Sequence, residues 1–484
     1  MTFVLENLPL VLAGLYLLLE ICAIVAALEA LFYARTSQGA IAWTLFLIMF
    51  PILGLPVYLI FGGRKFSGYV NARQAGSKPL HKMAQEIKKR LPTSALATFQ
   101  PNENPHTALS ALARMPFVAK NDSRLLINGE ATFKAIFTAI ESAQEYILIQ
   151  FFIIKDDALG AELQQRLLNK VHEGIRVYFL YDAVGSHALP SSYIQKLADA
   201  GVEVVAFRGS SRGKGHPFRI NFRNHRKIVV IDGHTAYVGG LNVGNEYLGK
   251  SEKPHLRPWR DTHVELCGPA ALCVQLVFLE DWYWMTNQIP LLKLDPTFSK
   301  TANQRVLVLP SGPADKLDTC SLLFVDLIHS AHQRIWIVSP YFVPDDAIVS
   351  ALQVAALRGI DVRIMLPEEP DHMLVYLARF SYLEETIPFG IKVYSYRAGF
   401  LHQKVVLVDD EIAGIGTANL DNRSFRLNFE ITLLFADKTF VNEVHEMLLN
   451  DFANCRQMGI EEIRQRPFWF KLATKIARLF SPIL

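Results

Sequence analysis

Residues 224–232, N-H-R-K-I-V-V-I-D, decide the fold, because a histidine and a lysine open a strand-like apolar run that ends in an aspartate. Residues 401–409, L-H-Q-K-V-V-L-V-D, repeat the form H-x-K-x4-D 177 positions further along the chain. A single copy fixes only three positions, and a solvated strand end is the alternative explanation for it. Two copies, each opening an apolar strand, indicate a duplicated unit whose halves each supply part of one site.

The match between the two halves extends beyond these motifs. Residues 141–153 resemble residues 329–341, and both segments have the pattern of a helix end running into a buried strand. Glycine and asparagine also recur after the motifs at the same offset, as Gly239 with Gly416 and Asn242 with Asn419. Short apolar strands that alternate with helical stretches predict an α/β sheet in each half. We therefore expect two similar lobes, residues 111–295 and 296–460.

The spacing within each motif places the histidine and the lysine on one face, because side chains two residues apart project to the same side of a strand. The aspartate, seven residues after the histidine, has left that face and stands at a strand-to-turn end. There we expect it to hold a side-chain network in place without touching substrate. The candidate catalytic residues are His225, Lys227, Asp232, His402, Lys404 and Asp409.

Two imidazoles with neighbouring ammonium groups suit attack on a phosphodiester. One histidine can act as a nucleophile that splits a difficult substitution into two easier steps, while the other protonates the leaving oxygen. Lysine ammonium groups and asparagine amides can neutralise charge as it shifts onto the phosphate oxygens. A metal cage is not expected, since the histidines lack H-x3-H spacing and no carboxylate cluster accompanies them in the sequence.

The N-terminal part has a different composition. Residues 8–33 and 40–61 are apolar and long enough to cross a hydrocarbon core of ~30 Å, which takes about 20 helical residues. We expect residues 1–63 to form a transmembrane hairpin, with a buried soluble helix pair or a cleaved signal peptide as the alternatives. Residues 64–110 are interpreted as a basic connector, and residues 64–90 hold eight basic residues against one acid. The positive-inside rule then places the large C-terminal part in the cytoplasm.

Charge gives less information about partners. The net charge of +3 is too small to indicate a nucleic-acid partner for the whole molecule. Residues 208–227 are basic without an acid, which suits anionic lipid headgroups, a nucleic-acid backbone or a solvated loop. Residues 461–484 are interpreted as an amphipathic tail that lies on an anionic membrane or packs on its own domain. Its basic face holds Lys471, Lys475 and Arg478, and its apolar face holds Leu472, Ile476 and Leu479.

The doubled H-x-K-x4-D motif resembles the phospholipase D superfamily, and the chain is similar almost end to end to the bacterial cardiolipin synthases within it. The resemblance is also carried by A-W-T-L-F-L-I-M-F-P-I-L-G (42–54), G-G-L-N-V-G-N-E-Y-L-G (239–249), W-R-D-T-H (259–263), S-P-Y-F-V-P-D (339–345) and G-T-A-N-L-D-N-R-S-F-R-L-N-F-E (416–430). It implies a duplicated, bilobal α/β fold in which the two motifs meet between the lobes, preceded by the two-helix hairpin.

The resemblance also implies roles for the side chains. One histidine forms a covalent phosphatidyl-histidine, and the other acts first as acid and then as base. By similarity, His225 is expected to be the nucleophile and His402 the acid and base. The residues expected to hold the phosphate or to support the site are Lys227, Lys404, Asn242, Asn419 and Ser424, with Glu430 and Asp261 orienting the histidines. The first half departs from the second here, with R-D-T-H where the second has N-F-E.

The function that the resemblance implies is transfer of a phosphatidyl group between two phosphatidylglycerol molecules, giving cardiolipin and glycerol without a metal or nucleotide cofactor. Anionic phospholipid would be the partner and the bacterial inner membrane the location. The residues themselves leave the acceptor open, so a phospholipase D that uses water or another alcohol is an alternative. A membrane-tethered nuclease would use the same histidines, but the hairpin and the tail favour lipid over nucleic acid. Two intact motifs argue against a non-catalytic lipid-binding protein.

Overall fold

The computed structural model describes residues 8–34, 36–62, 83, 85, 87, 89–100, 103, 104, 106–208, 222–299 and 302–484. The chain divides into two compact units, residues 1–73 with 209–222, and residues 74–208 with 223–484. The second unit contains both halves of the repeat. Much of the predicted basic connector, and most of the basic segment 208–227, lie outside the described residues.

The described residues of the N-terminal unit form three apolar helices, α1 (Leu8–Tyr33), α2 (Ser37–Met49) and α3 (Pro51–Phe61). Among the described residues, α1 is the one helix long and apolar enough to span a membrane, with 26 residues and a mean hydropathy of 2.5. This confirms the predicted first span as a helix. Ala26, Ala27 and Ala30 of α1 are buried in one cluster with Leu47 of α2 and Tyr58 of α3. The small side chains of these alanines allow the helices to approach one another closely.

The predicted second span differs from the expectation, since residues 40–61 do not form one continuous helix. α2 ends at Met49, and α3 begins at Pro51. Phe50 between them has φ −135° and ψ 61°, outside the helical region. The proline accounts for this break, because it has no N–H to donate and its ring disfavours the helical conformation of the preceding residue.

The first half of the second unit alternates strands with helices, as predicted. Its strands are β1 (Val118–Ile127), β2 (Tyr146–Phe151), β3 (Arg176–Asp182), β4 (Glu203–Phe207), β5 (Arg223–Asn224), β6 (Ile228–Ile231), β7 (Thr235–Gly239), β8 (Trp259–Arg260) and β9 (Thr262–Cys267). Its helices are α4 (Thr107–Ala113), α5 (Asn128–Ser142), α6 (Ala158–His172), α7 (Ser191–Asp199) and α8 (Pro269–Thr286).

The second half repeats this alternation. Its strands are β10 (Gln304–Ser311), β11 (Arg334–Val338), β12 (Phe342–Val343), β13 (Asp361–Pro367), β14 (Lys392–Tyr396), β15 (Phe400–Leu401), β16 (Val405–Val408), β17 (Ile412–Gly416), β18 (Leu420–Asp421), β19 (Asn428–Phe435) and β20 (Cys455–Gln457). Its helices are α9 (Thr319–Ser330), α10 (Asp346–Leu357), α11 (Met373–Thr386), α12 (Asn422–Arg426), α13 (Lys438–Phe452), α14 (Ile460–Arg464) and α15 (Phe468–Arg478).

One sheet runs through both halves, in the order β20-β14-β13-β11-β16-β17-β19-β10-β1-β9-β7-β6-β2-β3-β4. β1 joins the halves, because Val118 and Asn121 pair with β10 while residues 122–127 pair with β9. Within the first half β2, β3 and β4 are parallel, and β6, β7 and β9 are antiparallel. The second half repeats this mixture with β11, β13, β14 and β16, β17, β19. The duplicated α/β fold is confirmed, and the predicted lobe boundaries stay a prediction.

Two short strands each pair with a strand of the opposite half. β5 pairs in parallel with β19 of the second half, placing Asn224 opposite Phe429. β15 pairs in parallel with β8 of the first half, placing Leu401 opposite Arg260. Each pairing lies directly before a motif histidine, so the backbone of each motif is fixed by the opposite half.

The predicted tail helix is present as α15, and it packs on its own domain. Phe470, Thr474 and Ala477 are buried, and the Phe470 ring lies 5.0 Å from Phe380 of α11. Two residues of the predicted basic face form ion pairs with α11, Lys475 with Glu384 and Arg478 with Glu385. The apolar side chains that stay exposed on α15 and just after it are Phe468, Trp469, Leu472, Ile476, Leu479 and Phe480.

Candidate active site

Each motif histidine is bound by a carboxylate from the opposite half. His225 Nδ1 lies 3.0 Å from both carboxylate oxygens of Glu430. His402 Nδ1 lies 2.7 Å from Asp261 Oδ2. All four side chains are buried. The two H-x-K motifs therefore share one site inside the second unit, and neither half completes it alone.

The backbone repeats this reciprocal arrangement. The His225 N–H donates to the carbonyl of Phe429, the residue before Glu430, across 3.0 Å. The His402 N–H donates to the carbonyl of Arg260, the residue before Asp261, across 2.8 Å. Each histidine is thus held at its ring and at its backbone by the same short segment.

Asp261 and Glu430 occupy equivalent positions. Gly239 at the end of β7 pairs with His263, and Gly416 at the end of β17 pairs with Thr432. Asp261 lies two residues before His263, and Glu430 lies two residues before Thr432. The two carboxylates are 169 positions apart, eight fewer than the motif histidines. The first half therefore has eight more residues between its glycine and its carboxylate strand, which hides the equivalence in the sequence.

The carboxylates fix the state of both rings. A neutral histidine that donates its Nδ1 proton to a carboxylate keeps a lone pair on Nε2. Burial lowers the pKa of both His225 and His402 to about 4, so both rings are neutral at pH 7. Burial alone would raise the pKa of Glu430, but His225 and Lys227 outweigh it, and the pKa is lowered. Both rings consequently present an uncharged Nε2, the form that a nucleophile requires.

The two lysines lie at the same site and are buried. Lys227 Nζ donates to the carbonyl of His225, and Lys404 Nζ donates to the carbonyl of His402. Burial lowers the pKa of Lys227 to about 7 and that of Lys404 to about 8. A bound anion would stabilise the charged form of both lysines, because opposite charges attract strongly in a poorly solvated site.

The motif aspartates are placed apart from the histidines, at the far ends of β6 and β16. The Asp232 carboxylate accepts three backbone N–H bonds of 2.8 Å, from Gln144, Glu145 and Tyr146. The Asp409 carboxylate accepts the equivalent three, from His332, Gln333 and Arg334. These bonds fasten the start of β2 and β11 to the motif strand. The geometry therefore gives both aspartates a supporting position and no place beside the reacting atoms.

The candidate asparagines differ in their bonding. Asn242 accepts a bond from the Ile153 N–H and donates to the Tyr247 hydroxyl, so its amide is used within the fold. Asn419 donates its backbone N–H to Ser424 Oγ, which makes Ser424 a support for the backbone. The side-chain Oδ1 of Asn419 is buried and has no hydrogen-bond partner within the part of the chain that the structure describes. Of the two asparagines, Asn419 is the one with a side-chain acceptor left for a ligand.

Two residues that support Glu430 were not predicted from the sequence. Thr417 Oγ1 donates to Glu430 Oε2 across 2.6 Å, and Asn428 Nδ2 donates to Oε1 across 3.2 Å. The stretch N-F-E contained the signal for Asn428, because alternate residues of a strand share a face. For Thr417 the signal in the sequence was weaker, namely its position between the repeated residues Gly416 and Asn419.

Aromatic rings pack against both histidines. The ring of His225 lies 4.9 Å from Phe152, and that of His402 lies 5.0 Å from Trp259. These rings limit the positions open to each imidazole and help exclude water from it. Together with the carboxylates, they hold two neutral Nε2 atoms and two ammonium groups in one buried site. Such a set can attack a phosphodiester, neutralise its oxygens and move a proton to the leaving group.

Buried ion pairs brace the backbone beneath the site. Arg226, between His225 and Lys227, bonds both oxygens of Asp281 on α8 at 2.8 Å. In the second half, Asp451 on α13 is bonded by Arg260 of the first half at 2.7 Å. These charge-assisted bonds, which are bidentate for Arg260, fix the backbone on either side of the site.

Family comparisons match both halves of the chain. The family described as cardiolipin synthase, PLD-like domain, matches residues 136–252 and 324–452, and each segment contains one motif. The family described as phospholipase D-nuclease N-terminal matches residues 21–63.

Individual proteins extend the similarity to the whole chain. Cardiolipin synthase A of Pseudomonas entomophila is 51% identical over 472 residues, 96% of this chain and 97% of that protein. Cardiolipin synthase A of Pseudomonas putida is 52% identical with the same coverage. The crystal structure of phosphatidylserine synthase from Haemophilus influenzae superposes with a TM-score of 0.59 at 18% identity, covering 78% of this chain and all of that one. That likeness shows a shared fold.

Proposed function

The chain belongs to the cardiolipin synthases of the phospholipase D superfamily, and from that premise we propose that it transfers a phosphatidyl group from one phosphatidylglycerol to another. Cardiolipin and free glycerol are the products. The observation that carries the mechanism is the reciprocal bonding of His225 to Glu430 and of His402 to Asp261. It supports a two-step displacement in which the two histidines have different tasks at one phosphorus atom.

In the first step, His225 Nε2 attacks the phosphorus of a bound phosphatidylglycerol. The bond from phosphorus to the glycerol oxygen breaks, and a phosphatidyl-histidine forms. His402 donates a proton to the departing oxygen. The pKa of His402 is about 4 in the free site, but the negative charge of the bound phosphodiester stabilises the imidazolium.

In the second step, the now neutral His402 accepts a proton from a hydroxyl of a second phosphatidylglycerol. That oxygen attacks the phosphorus, the bond to His225 breaks, and cardiolipin leaves. Lys227 and Lys404 neutralise the phosphate oxygens in both steps, with the Asn419 amide beside them. Glu430 and Asp261 stabilise the positively charged rings as they form, because both carboxylates contact Nδ1.

The membrane arrangement is a second part of the proposal. Residues 8–33 and 40–61 cross the bilayer as a two-pass hairpin, and the catalytic unit lies in the cytoplasm. The apolar residues exposed on α1, α2 and α3 suit lipid contact, and the eight basic residues of 64–90 favour the cytoplasmic side. Cysteines introduced at Gln38 and Lys89 test this, since an impermeant thiol reagent added outside should label only the first. Labelling at Lys89 would contradict the orientation.

The tail helix gives a further membrane contact. Phe468, Trp469 and Leu479 are among the most exposed apolar side chains of the second unit. Because Lys475 and Arg478 pair with α11, contact with lipid is expected to depend on these apolar residues more than on charge. Replacing Trp469 and Leu479 together by glutamine should lower activity on vesicles more than on detergent micelles, whereas an equal change on both would argue against the contact.

The reaction itself is tested with purified full-length protein and phosphatidylglycerol labelled in its glycerol headgroup, in mixed micelles. Labelled free glycerol and labelled cardiolipin should appear in equal amounts. Phosphatidic acid as the sole lipid product would show hydrolysis and contradict the transferase proposal.

A further inference from the structure

A tyrosine and a carboxylate form a hydrogen-bonded pair outside the groups assigned above. Tyr341 Oη donates to Asp371 Oδ2 across 2.6 Å. Tyr341 follows β11 and Asp371 follows β13, and these neighbouring strands are parallel. The loops after parallel strands lie at one edge of the sheet, the edge where open α/β sheets bind their ligands.

This pair lies on the His402 side of the site. Phe342 pairs with Leu420 in parallel register, so Tyr341 lies next to Asn419 across two short strands. The charge of Asp371 also reaches both functional groups of the second motif. Burial lowers the pKa of His402 and of Lys404, and the carboxylate of Asp371 opposes that lowering at both.

A carboxylate beside a phosphodiester site needs a separate reason, because it repels the phosphate. Glu246, a carboxylate of the first half, has a cation to offset its charge, because Lys155 forms an ion pair with it at 2.5 Å. Asp371 has a weaker ion-pair contact, the largely exposed ring of His372 at 3.8 Å. An ionised carboxylate is purely an acceptor of hydrogen bonds. Its natural partner in a substrate is therefore a hydroxyl group.

We propose that Asp371 and Tyr341 form a polyol subsite that binds the glycerol headgroup on the His402 side. One headgroup hydroxyl donates to the Asp371 carboxylate. Its neighbour donates to Tyr341 Oη, whose own proton is already given to Asp371. Asn419 Oδ1, which has no hydrogen-bond partner among the described residues, offers a third acceptor. The subsite rests on the proposed function, because it assumes that His402 exchanges protons with the alcohol oxygen.

One subsite serves both steps. The glycerol that leaves and the headgroup that enters both place an oxygen between the phosphorus and His402, so both occupy the same space. The cleft beside the pair is bordered by Pro340, Pro367 and Pro370. Prolines restrict the backbone of these loops, which keeps the two acceptors at a fixed separation.

Competition between two alcohols tests the subsite. Full-length protein in mixed micelles with phosphatidylglycerol receives equal concentrations of labelled glycerol and labelled 1-propanol, which has three carbons but no neighbouring hydroxyls. The ratio of labelled phosphatidylglycerol to phosphatidylpropanol is measured. Asp371→Asn should lower this ratio about 10-fold or more and Tyr341→Phe about 3-fold, in keeping with lost hydrogen bonds to charged and neutral groups.

Glu369→Gln is the matched control, since it removes an exposed carboxylate two residues away and should leave the ratio unchanged. An unchanged ratio in Asp371→Asn, or an equal fall for both alcohols, would overturn the subsite. If thermal unfolding shows that Asp371→Asn does not fold, the ratio for Tyr341→Phe decides alone. Wild-type protein that makes neither product would instead contradict the proposed function, so the two failures are distinguishable.

Discussion

The two halves hold their equivalent histidines with different carboxylate side chains, and different groups fix those carboxylates. Glu430 reaches His225 on a long side chain and is fixed by Thr417 and Asn428. Asp261 reaches His402 on a shorter side chain and is fixed by the Thr262 N–H across 2.8 Å. The position that corresponds to Thr417 in the first half is Gly240, where a Cβ would overlap the Asp261 carboxylate.

A second difference concerns the lysines. Lys404 Nζ lies 3.0 Å from His402 Nδ1. Burial is the largest cause of the lowered pKa of His402, and the charge of Lys404 is the next largest. At His225, burial is again the largest cause of the lowered pKa, but the next largest influence is the charge of Glu430, which raises that pKa. Duplication therefore preserved the geometry of the histidines, while their electrostatic surroundings diverged.

The largest effect is expected at the histidines themselves. His225→Ala and His402→Ala should each lower kcat by roughly 10⁴-fold or more, because one removes the nucleophile and the other the proton donor. Conversion of labelled phosphatidylglycerol into cardiolipin measures this. A variant that kept a tenth of wild-type activity would show that the two halves do not share one site.

Neutralising the carboxylates should follow in size. Glu430→Gln and Asp261→Asn keep the shape of each side chain but remove the charge that stabilises the protonated ring, and each should lower kcat by about 10²–10⁴-fold. Glu265→Gln, on β9 four residues after Asp261 and paired with exposed Arg124, is the matched control. A large effect at one carboxylate and none at the other would break the equivalence of the halves.

The equivalence of these carboxylates also shows how far the sequence predicts the molecule. The repeated motifs predicted the duplicated α/β fold, and the structure brings the predicted histidines, lysines and both carboxylates together. Loop length is not encoded in motif spacing, so the eight extra residues of the first half concealed the match of Asp261 with Glu430. Thr417 and the pairing of Lys475 and Arg478 with α11 depend on tertiary contacts, which no local pattern specifies.

The pH dependence of kcat/KM should be bell-shaped. Attack requires neutral His225, so kcat/KM should fall as the pH drops through about 4, well below the ordinary histidine pKa of 6.5. His402, the proton donor, also has a pKa lowered to about 4 in the free site, so kcat/KM should decline gradually as the pH rises above that value. Binding of phosphate requires charged lysines, and their lowered pKa values of about 7 and 8 predict a loss as the pH rises through that range. Activity that stayed constant up to pH 10 would contradict the buried, destabilised state of both ammonium groups.

The smallest effect is expected at Thr417. Thr417→Val removes one bond to Glu430 but leaves Asn428 in place, so kcat should fall only about 3- to 10-fold. Gly240→Thr makes the reverse change in the first half and should cost far more, because the added side chain displaces Asp261. Similar losses in the two variants would show that the halves tolerate exchange of their supports.

The division of labour between the halves is tested most directly by mapping the covalent intermediate. Wild-type protein and His225→Ala are incubated with phosphatidylglycerol, quenched during turnover in acid-free denaturant, digested, and searched by mass spectrometry for a phosphatidyl group on histidine. The expected result is an adduct on His225 in the wild type, with none on either motif histidine in His225→Ala. An adduct on His402 in the His225→Ala variant would contradict the assignment of His225 as nucleophile.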